Sequence, residues 1–342
     1  MGKIEVCGNI IKAGNKTRIT IPITKDLGVK LEMTAHILAG KYDGPTMLLV
    51  SLLHGEEWLY ILAFKRIIET IDLSNLKGQI IIVPVANPSA LNTGTRCTQD
   101  NSDQPDANRA FGSAHKWISN QVTNTIEENF MVLADYMMDF HGGAFGRTMA
   151  DIGYMSNHLD EELINKSRMM ALAYHFPIIH KMKMNEGTMS GNNSVGRALV
   201  KYKIPAIIPE LGGVGWGDEK EKDWVEDNIK GIINVLKFVG MLDGNPQYLE
   251  KYLMVENYWR IYPKNGGYFE SLISLNRQFG KIKKGELMGR IYDPATFEMI
   301  EELRCPGEGT LFYTSRNKLL RPGAWTFGVA DMSQSYWQKP KP

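Results

Sequence analysis

Between about residue 45 and residue 240, strand-length apolar runs alternate with longer stretches of helical period, and no other feature of the sequence restricts the fold as tightly. MLLVSLL (47–53), QIIIVPVA (79–86), ADYMMDF (134–140) and IPAIIPEL (204–211) are short, apolar and bounded by turn residues, so they read as buried strands. Ile61, Phe64, Ile68 and Ile71 step by 3, 4 and 3, and Val225, Ile229, Ile232, Leu236 and Val239 step by 4, 3, 4 and 3. Buried strands alternating with helices predict an α/β fold with a mixed, mostly parallel sheet flanked by helices. Such sheets hold ligands at the carboxyl ends of their strands, so the residues that follow each apolar run are the place to look for chemistry.

After Gly240 the texture changes. Turn signals recur at Asn265-Gly266-Gly267, Phe279-Gly280, Lys284-Gly285, Asp293-Pro294, Pro306-Gly307 and Pro322-Gly323, with no helical period between them. The expectation is two domains, residues 1–242 and a smaller all-β domain over 250–335, with a linker near 241–254 and hairpin material in 1–44. Composition narrows the partners. With 39 Lys+Arg against 38 Asp+Glu the net charge is +1, which gives no electrostatic case for nucleic acid or an anionic membrane. The apolar runs are far shorter than the roughly 20 residues of a membrane span. Cys7, Cys97 and Cys305 are odd in number, far apart and without a CxxC pair, as suits a reducing compartment. A soluble cytoplasmic protein acting on a small molecule or short peptide is expected.

Four motifs carry candidate chemistry. His54-Gly55-Glu56-Glu57 follows the first strand, and a His and a carboxylate three residues apart can converge on one ion; alone, they equally read as the capped first turn of a helix. Asp139-Phe140-His141-Gly142-Gly143 brings a second His to the same sheet edge, which would complete the two-His, one-Glu composition of a catalytic zinc site; without His54 and Glu57 it reads as a histidine satisfied by a backbone partner at a strand end. Asp139 either orients that ligand or points away. Residues 87–112 form a long polar loop whose Arg96, Asn108 and Arg109 can bind a carboxylate and polarise a carbonyl, or be solvated surface groups. Glu210, in Pro209-Glu210-Leu211-Gly212-Gly213, ends an apolar strand as either a salt-bridged residue or a general base. Trp216 reads as pocket lining or core, the 18 Met as core filler, and His36, His115, His158, His175 and His180 as surface or core residues.

In this order and spacing, HGEE (54–57), NPSALNTGTR (87–96), DANRAFG (106–112), DFHGG (139–143) and PELGG (209–213) resemble the zinc carboxypeptidase superfamily, specifically the branch of succinylglutamate desuccinylase and aspartoacylase. GKIKKGELMGRIYDP (280–294) and CPGEGTLFY (305–313) look like the small β-barrel that this branch carries. The resemblance implies one zinc ion per chain on His54, Glu57 and His141, with Arg96 stabilising an oxyanion and Glu210 as general base. It further implies that Asn108 and Arg109 hold the substrate's carboxylate, with Arg197, and Tyr202 near it, as further contacts. Gly112 replaces the family's frequent Pro, and Gly142 its frequent Thr, which would loosen or reshape the loop. The implied activity is removal of an acyl group from an N-acylated amino acid. The rivals are a carboxypeptidase releasing a C-terminal residue, and a non-catalytic ligand-binding protein on the same scaffold. An exposed edge of the β-domain would suit a homo-oligomer.

Overall fold

The computed structural model describes residues 4–98, 106–156, 160–183, 191–274 and 277–340; His158 lies outside them. The amino-terminal segment forms the expected hairpin of β1 (Lys16–Asp26) and β2 (Val29–Ala39). There follow β3 (Tyr42–Ser51), α1 (Tyr60–Thr70), β4 (Lys77–Val83), α2 (Pro88–Thr93), α3 (Ile118–Asn129), β5 (Tyr136–Phe145) and β6 (Arg147–Ser156). Then come α4 (Glu161–Ala173), β7 (Ile178–Lys183), α5 (Ser194–Arg197), β8 (Ala206–Val214) and α6 (Asp218–Phe238). Strands β4, β3, β5 and β8 lie side by side and parallel, and each takes up most of one of the four apolar runs of the sequence. β6 adds antiparallel to β8, and β7 adds parallel to β6, so the sheet is mixed around a parallel centre.

Alternation of side chains across the pleat divides the core into two layers. Met47, Leu49, Ile80, Ile82 and Phe140 pack on one face with Phe64, Trp224, Val225 and Ile232 from α1 and α6. Leu48, Val50, Ile81, Val83 and Met137 pack on the other with Val122 and Ile126 of α3 and Val195 of α5. Each fully buried side chain of this kind contributes about 1.5–3 kcal/mol. Two helix layers therefore hold the strands from both faces and leave their carboxyl ends free to carry polar groups.

The carboxyl-terminal region is all β, as expected. Gly267–Ser271, Leu287–Tyr292, Met299–Arg304 and Leu319–Leu320 form a separate four-stranded sheet. β10 (Tyr258–Ile261), β11 (Gly309–Ser315) and β12 (Phe327–Asp331) instead extend the main sheet, because Thr314 of β11 pairs with Thr148 of β6. The segment read as a linker ends in β9 (Tyr252–Val255), a buried strand held between β7 and β13 (Tyr336–Gln338). That extension brings β10, β11 and the loop before β12 up against the strand ends of the main sheet. No helix among the described residues is long and apolar enough to cross a membrane.

Candidate active site

The first strand end turns sharply. Leu52 adopts φ 55°, and Gly55 lies so close to the next loop that a Cβ would sit 2.1 Å from the Ala90 carbonyl oxygen, so only glycine lets the chain pass. The chain then delivers His54 and Glu57, both buried. The facing loop begins with Asn87, whose side chain caps α2 by accepting from Ala90 N at 3.1 Å, with Pro88 as the first helical residue and left-handed Gly94 as the stop. The NPSALNTG motif is thus a short capped helix that fixes where Arg96 emerges.

His54 Nδ1 lies 2.9 Å from Glu57 Oε1, His141 Nδ1 lies 2.9 Å from Glu57 Oε2, and the two Nδ1 atoms are 3.1 Å apart. Their outer nitrogens are held by carboxylates. His54 Nε2 is 2.9 Å from Asp106 Oδ1, and His141 Nε2 is 2.8 Å from Asp139 Oδ2. Asp139 therefore shares a strand face with His141 and orients it, anchored in turn by the Ser194 hydroxyl. Carboxylates on the outer nitrogens leave the inner ones free as ligands, the arrangement that accompanies metal-bound imidazoles.

The charges fit a cation at this point. Burial raises the Glu57 carboxyl, but His54 and His141 outweigh it and hold it well below the usual carboxylate range. Burial disfavours the imidazolium of His141, yet Asp139 and Glu57 raise its pKa well above the ordinary value. A cage that pulls a proton onto a buried imidazole is asking for positive charge between its donors. The three ligand atoms of His54, Glu57 and His141 lie within 4.8 Å of one another, and two imidazoles with one carboxylate are a donor set that catalytic zinc uses.

Arg96 stands at the rim of this triad, with Nη2 at 2.9 Å from Asp106 Oδ2 and Nη1 at 3.5 Å from Glu57 Oε1. Asp106, which sequence reasoning passed over, caps the 3₁₀ turn Ala107–Arg109 through Asn108 N at 2.8 Å. Burial raises its carboxyl, but His54 and Arg96 hold it far below the usual range. Asn108 lines the pocket, although its amide is engaged: Nδ2 lies 3.0 Å from His141 Nε2 and Oδ1 accepts from Ser194 N at 2.8 Å. Arg109 lines the pocket too, donating to the Asn108 carbonyl at 2.7 Å.

Glu210 is placed by strand register. It stands opposite His141 across the parallel β5–β8 pair and opposite Asp151 across the antiparallel β8–β6 pair. The Tyr60 hydroxyl pins this row, accepting from Leu211 N at 2.9 Å and donating to the His141 carbonyl. Glu210 keeps some accessible surface because it lines the open pocket, but protein surrounds it closely enough that burial governs it. Burial pushes its pKa up to about 8, with Glu57 and Asp151 adding to the rise against His141 and Arg96.

Arg197 lies elsewhere. Its Nε donates to Glu127 Oε2 at 2.8 Å, where Lys201 Nζ and Tyr202 OH also donate at 3.1 Å, and neither Arg197 nor Tyr202 lines the pocket. Gly112 belongs to this cluster. At φ 71° its N–H donates to Glu127 Oε1 at 3.0 Å, and a Cβ there would meet the Arg197 guanidinium at 2.6 Å. The glycine thus fastens the loop rather than loosening it. Trp216 is also outside the pocket, donating from its indole to the Arg147 carbonyl at 3.0 Å. His180, read as a surface or core residue, instead lines the pocket with Asp151. The carboxyl-terminal region adds Tyr258, Arg260, Tyr313 and Trp325 to the wall of this cavity of about 680 Å³.

Comparison with known proteins agrees with this architecture. The profile of the succinylglutamate desuccinylase/aspartoacylase catalytic domain matches residues 43–239. The chain is 24% identical over 256 residues to the N-alpha-acetyl-L-2,4-diaminobutyric acid deacetylase of Halomonas elongata, covering 73% of this chain and 71% of that one. Its fold superposes on the product-bound ectoine utilization protein EutE (DoeB) from Ruegeria pomeroyi with a TM-score of 0.79 at 20% identity, covering 94% and 98% of the two chains. A succinylglutamate desuccinylase from Silicibacter sp. TM1040 gives a TM-score of 0.78 at 20% identity, covering 94% and 97%.

Proposed function

The chain belongs to the succinylglutamate desuccinylase/aspartoacylase family, and from that premise we propose that it is a zinc-dependent amidohydrolase that removes the acyl group from an N-acylated amino acid. The observation that carries this reading is the convergence of His54 Nδ1, Glu57 and His141 Nδ1, with Glu210 one strand away in the same pocket. The similar deacetylase, which is named for an N-acetylated amino acid, supports the substrate class.

His54, Glu57 and His141 would hold one zinc ion per chain. When bound, zinc supplies Lewis acidity at the carbonyl and a water acidic enough to yield its proton near neutral pH. Glu210 takes a proton from the attacking water and returns it to the leaving amine nitrogen, the exchange for which a carboxyl raised by burial is suited. The Arg96 guanidinium faces the oxygen on which charge develops, a role whose removal costs about 3–4 kcal/mol. Arg109 receives the substrate's carboxylate through its guanidinium, and Asn108 holds the loop and His141 in register. The products are a carboxylic acid and a free amine, formed from the amide and one water.

The wall supplied by Tyr258, Arg260 and Trp325 narrows the pocket, which favours a small acylated amino acid over a peptide chain. Residues 1–242 would act as the hydrolase unit, and residues 250–335 would contribute this wall. The test is turnover on a panel of N-acyl amino acids beside peptides, with zinc measured on the same sample. Amine release from the former with one zinc per chain is expected. Release of C-terminal residues from longer peptides would instead make the chain a carboxypeptidase, and a zinc-free protein of full activity would remove the mechanism.

A further inference from the structure

The strand that carries Glu210 changes register just beyond it. From Ala206 to Glu210, β8 runs in even step with β5, pairing Ala206 with Met137, Ile207 with Met138 and Glu210 with His141. The next pair is Gly213 with Gly143, so β8 holds one more residue than β5 over this interval. On its other edge β8 stays in step with β6, with Glu210 opposite Asp151, Leu211 opposite Ala150 and Gly212 opposite Met149. The bulge therefore parts β8 from β5 alone, at the point where the proposed general base stands opposite a proposed metal ligand. Bulges are uncommon in parallel pairs; they unpair ladder groups locally, and beside active sites they re-aim side chains.

Tyr60 fills that opening. Its side chain is fully buried, does not line the pocket, and is held against Phe140 with ring centroids 5.2 Å apart. Its hydroxyl accepts from Leu211 N at 2.9 Å and donates to the His141 carbonyl, with the Leu211 carbonyl also within reach at 2.9 Å. One side-chain hydroxyl thus satisfies backbone groups of both strands across the bulge. From α6, Asn228 Nδ2 reaches the Leu211 carbonyl at 3.3 Å, and Asn228 Oδ1 accepts from the Tyr174 hydroxyl at 2.6 Å. Gly212, at φ 98°, lies beneath both helices, where a Cβ would be 2.5 Å from Leu59 Cδ2 and 3.1 Å from Trp224 Cβ. The stretch that follows Glu210 is held by groups from α1 and α6 where it leaves register with β5.

We infer that Tyr60 is a positioning residue for turnover: through Leu211 and the His141 carbonyl, its hydroxyl fixes where Glu210 stands relative to His141. The consequence for turnover rests on the amidohydrolase reading. Without the hydroxyl, Leu211 N and the His141 carbonyl lose their partner, and β8 is free to move against β5 at the residue that transfers the proton. Misplacing a reacting group by about 1 Å can cost about 10²-fold in rate.

The experiment sets Tyr60→Phe beside a matched control, Tyr252→Phe. Tyr252 is also fully buried, and its hydroxyl also accepts from a backbone N–H, Leu249 at 2.9 Å, and donates to a carbonyl, Leu172 at 2.8 Å, but it lies away from the pocket. Tyr60→Phe should lower kcat by about 10–100-fold on the best N-acyl amino acid, with KM within about twofold and metal content unchanged. Tyr252→Phe should lose a similar amount of stability to chemical denaturation and keep kcat within about twofold. Unchanged kcat in Tyr60→Phe, or an equal loss in both variants, would overturn the positioning role. Hydrogen exchange at the Leu211 amide reads the anchor without turnover, and in the wild type it needs no variant to fold. That amide should exchange as slowly as those of the sheet core and at least about tenfold faster in Tyr60→Phe; fast exchange in the wild type would contradict the anchor. Protection lost in Tyr60→Phe, with no N-acyl amino acid hydrolysed by the wild type, would sink the amidohydrolase reading and leave the anchor standing. Hydrolysis undiminished in Tyr60→Phe would sink the positioning role alone.

Discussion

Glu127 and Glu210 are both carboxylates set in largely enclosed surroundings, and their neighbours treat them in opposite ways. Glu127, 3% exposed on α3, receives hydrogen bonds from Gly112 N, Arg197, Lys201 and Tyr202. Burial raises its carboxyl, but Arg197 and Lys201 outweigh burial and hold it below the ordinary value. Glu210 sits beside Glu57 and Asp151, and burial lifts it to about 8. A carboxylate whose bonds are all met within the protein fastens elements together. One left short of positive charge at a pocket wall can exchange protons with a substrate. The comparison separates architecture from chemistry between two enclosed glutamates, one in the polar stretch Thr125-Ile126-Glu127-Glu128-Asn129 and one at the end of an apolar strand.

The largest effect that would break this contrast lies at the proposed metal ligands His54, Glu57 and His141. His141→Ala should abolish both stoichiometric zinc and turnover, because one of three converging donors is lost; metal analysis of the purified variant checks it, and full zinc retention would contradict the ligand assignment. Arg96→Ala should keep the metal and lower kcat by about 10²–10³-fold, read in steady-state kinetics with zinc quantified alongside. An equal loss of metal would show that Arg96 only braces Asp106 and Glu57.

Glu127→Gln sharpens the other half. It should cost about 1–3 kcal/mol of stability by chemical denaturation while leaving the metal in place. The sign with pH follows from the depressed carboxyl. Its stabilisation is fully present above the ordinary carboxylate pKa of about 4.3 and is lost as pH falls below that, through the lower folded-state value. The wild type should therefore lose stability in that acid range more steeply than the variant, and parallel pH curves would refute the cluster's role. The smallest effect is expected from Gly112→Ala. At this left-handed backbone position the added Cβ must displace the Arg197 guanidinium, costing about 1–2 kcal/mol and less than tenfold in kcat/KM.

Much of this molecule was legible in its sequence, for physical reasons that differ by element. The strands at 47–53, 79–86, 134–140 and 204–211 could be read because a central parallel strand is buried on both faces and must be continuously apolar. His54, Glu57 and His141 could be found because strand ends gather at one edge, so motif order alone brings them together. Arg197 was misplaced because its partner, Glu127, lies 70 residues away in sequence, and no local pattern reveals such a pairing. Asp151 and His180 were missed because strand register, which sets Asp151 opposite Glu210 and places His180 on the neighbouring β7 within reach of Asp151, is invisible in a single chain; the one available signal was a lone Asp in the apolar run of β6. The strand Tyr252–Val255 hid in a presumed linker because its partners, β7 and the chain's last strand, are distant in sequence.

The central claim is that Glu210 moves the proton at a site whose metal is held by other residues. Glu210→Gln tests it most directly, with zinc content and kcat measured on one preparation. The account predicts one zinc per chain, as in the wild type, and a loss in kcat of about 10²–10⁴-fold on the best N-acyl amino acid. Undiminished turnover with the metal in place would contradict it.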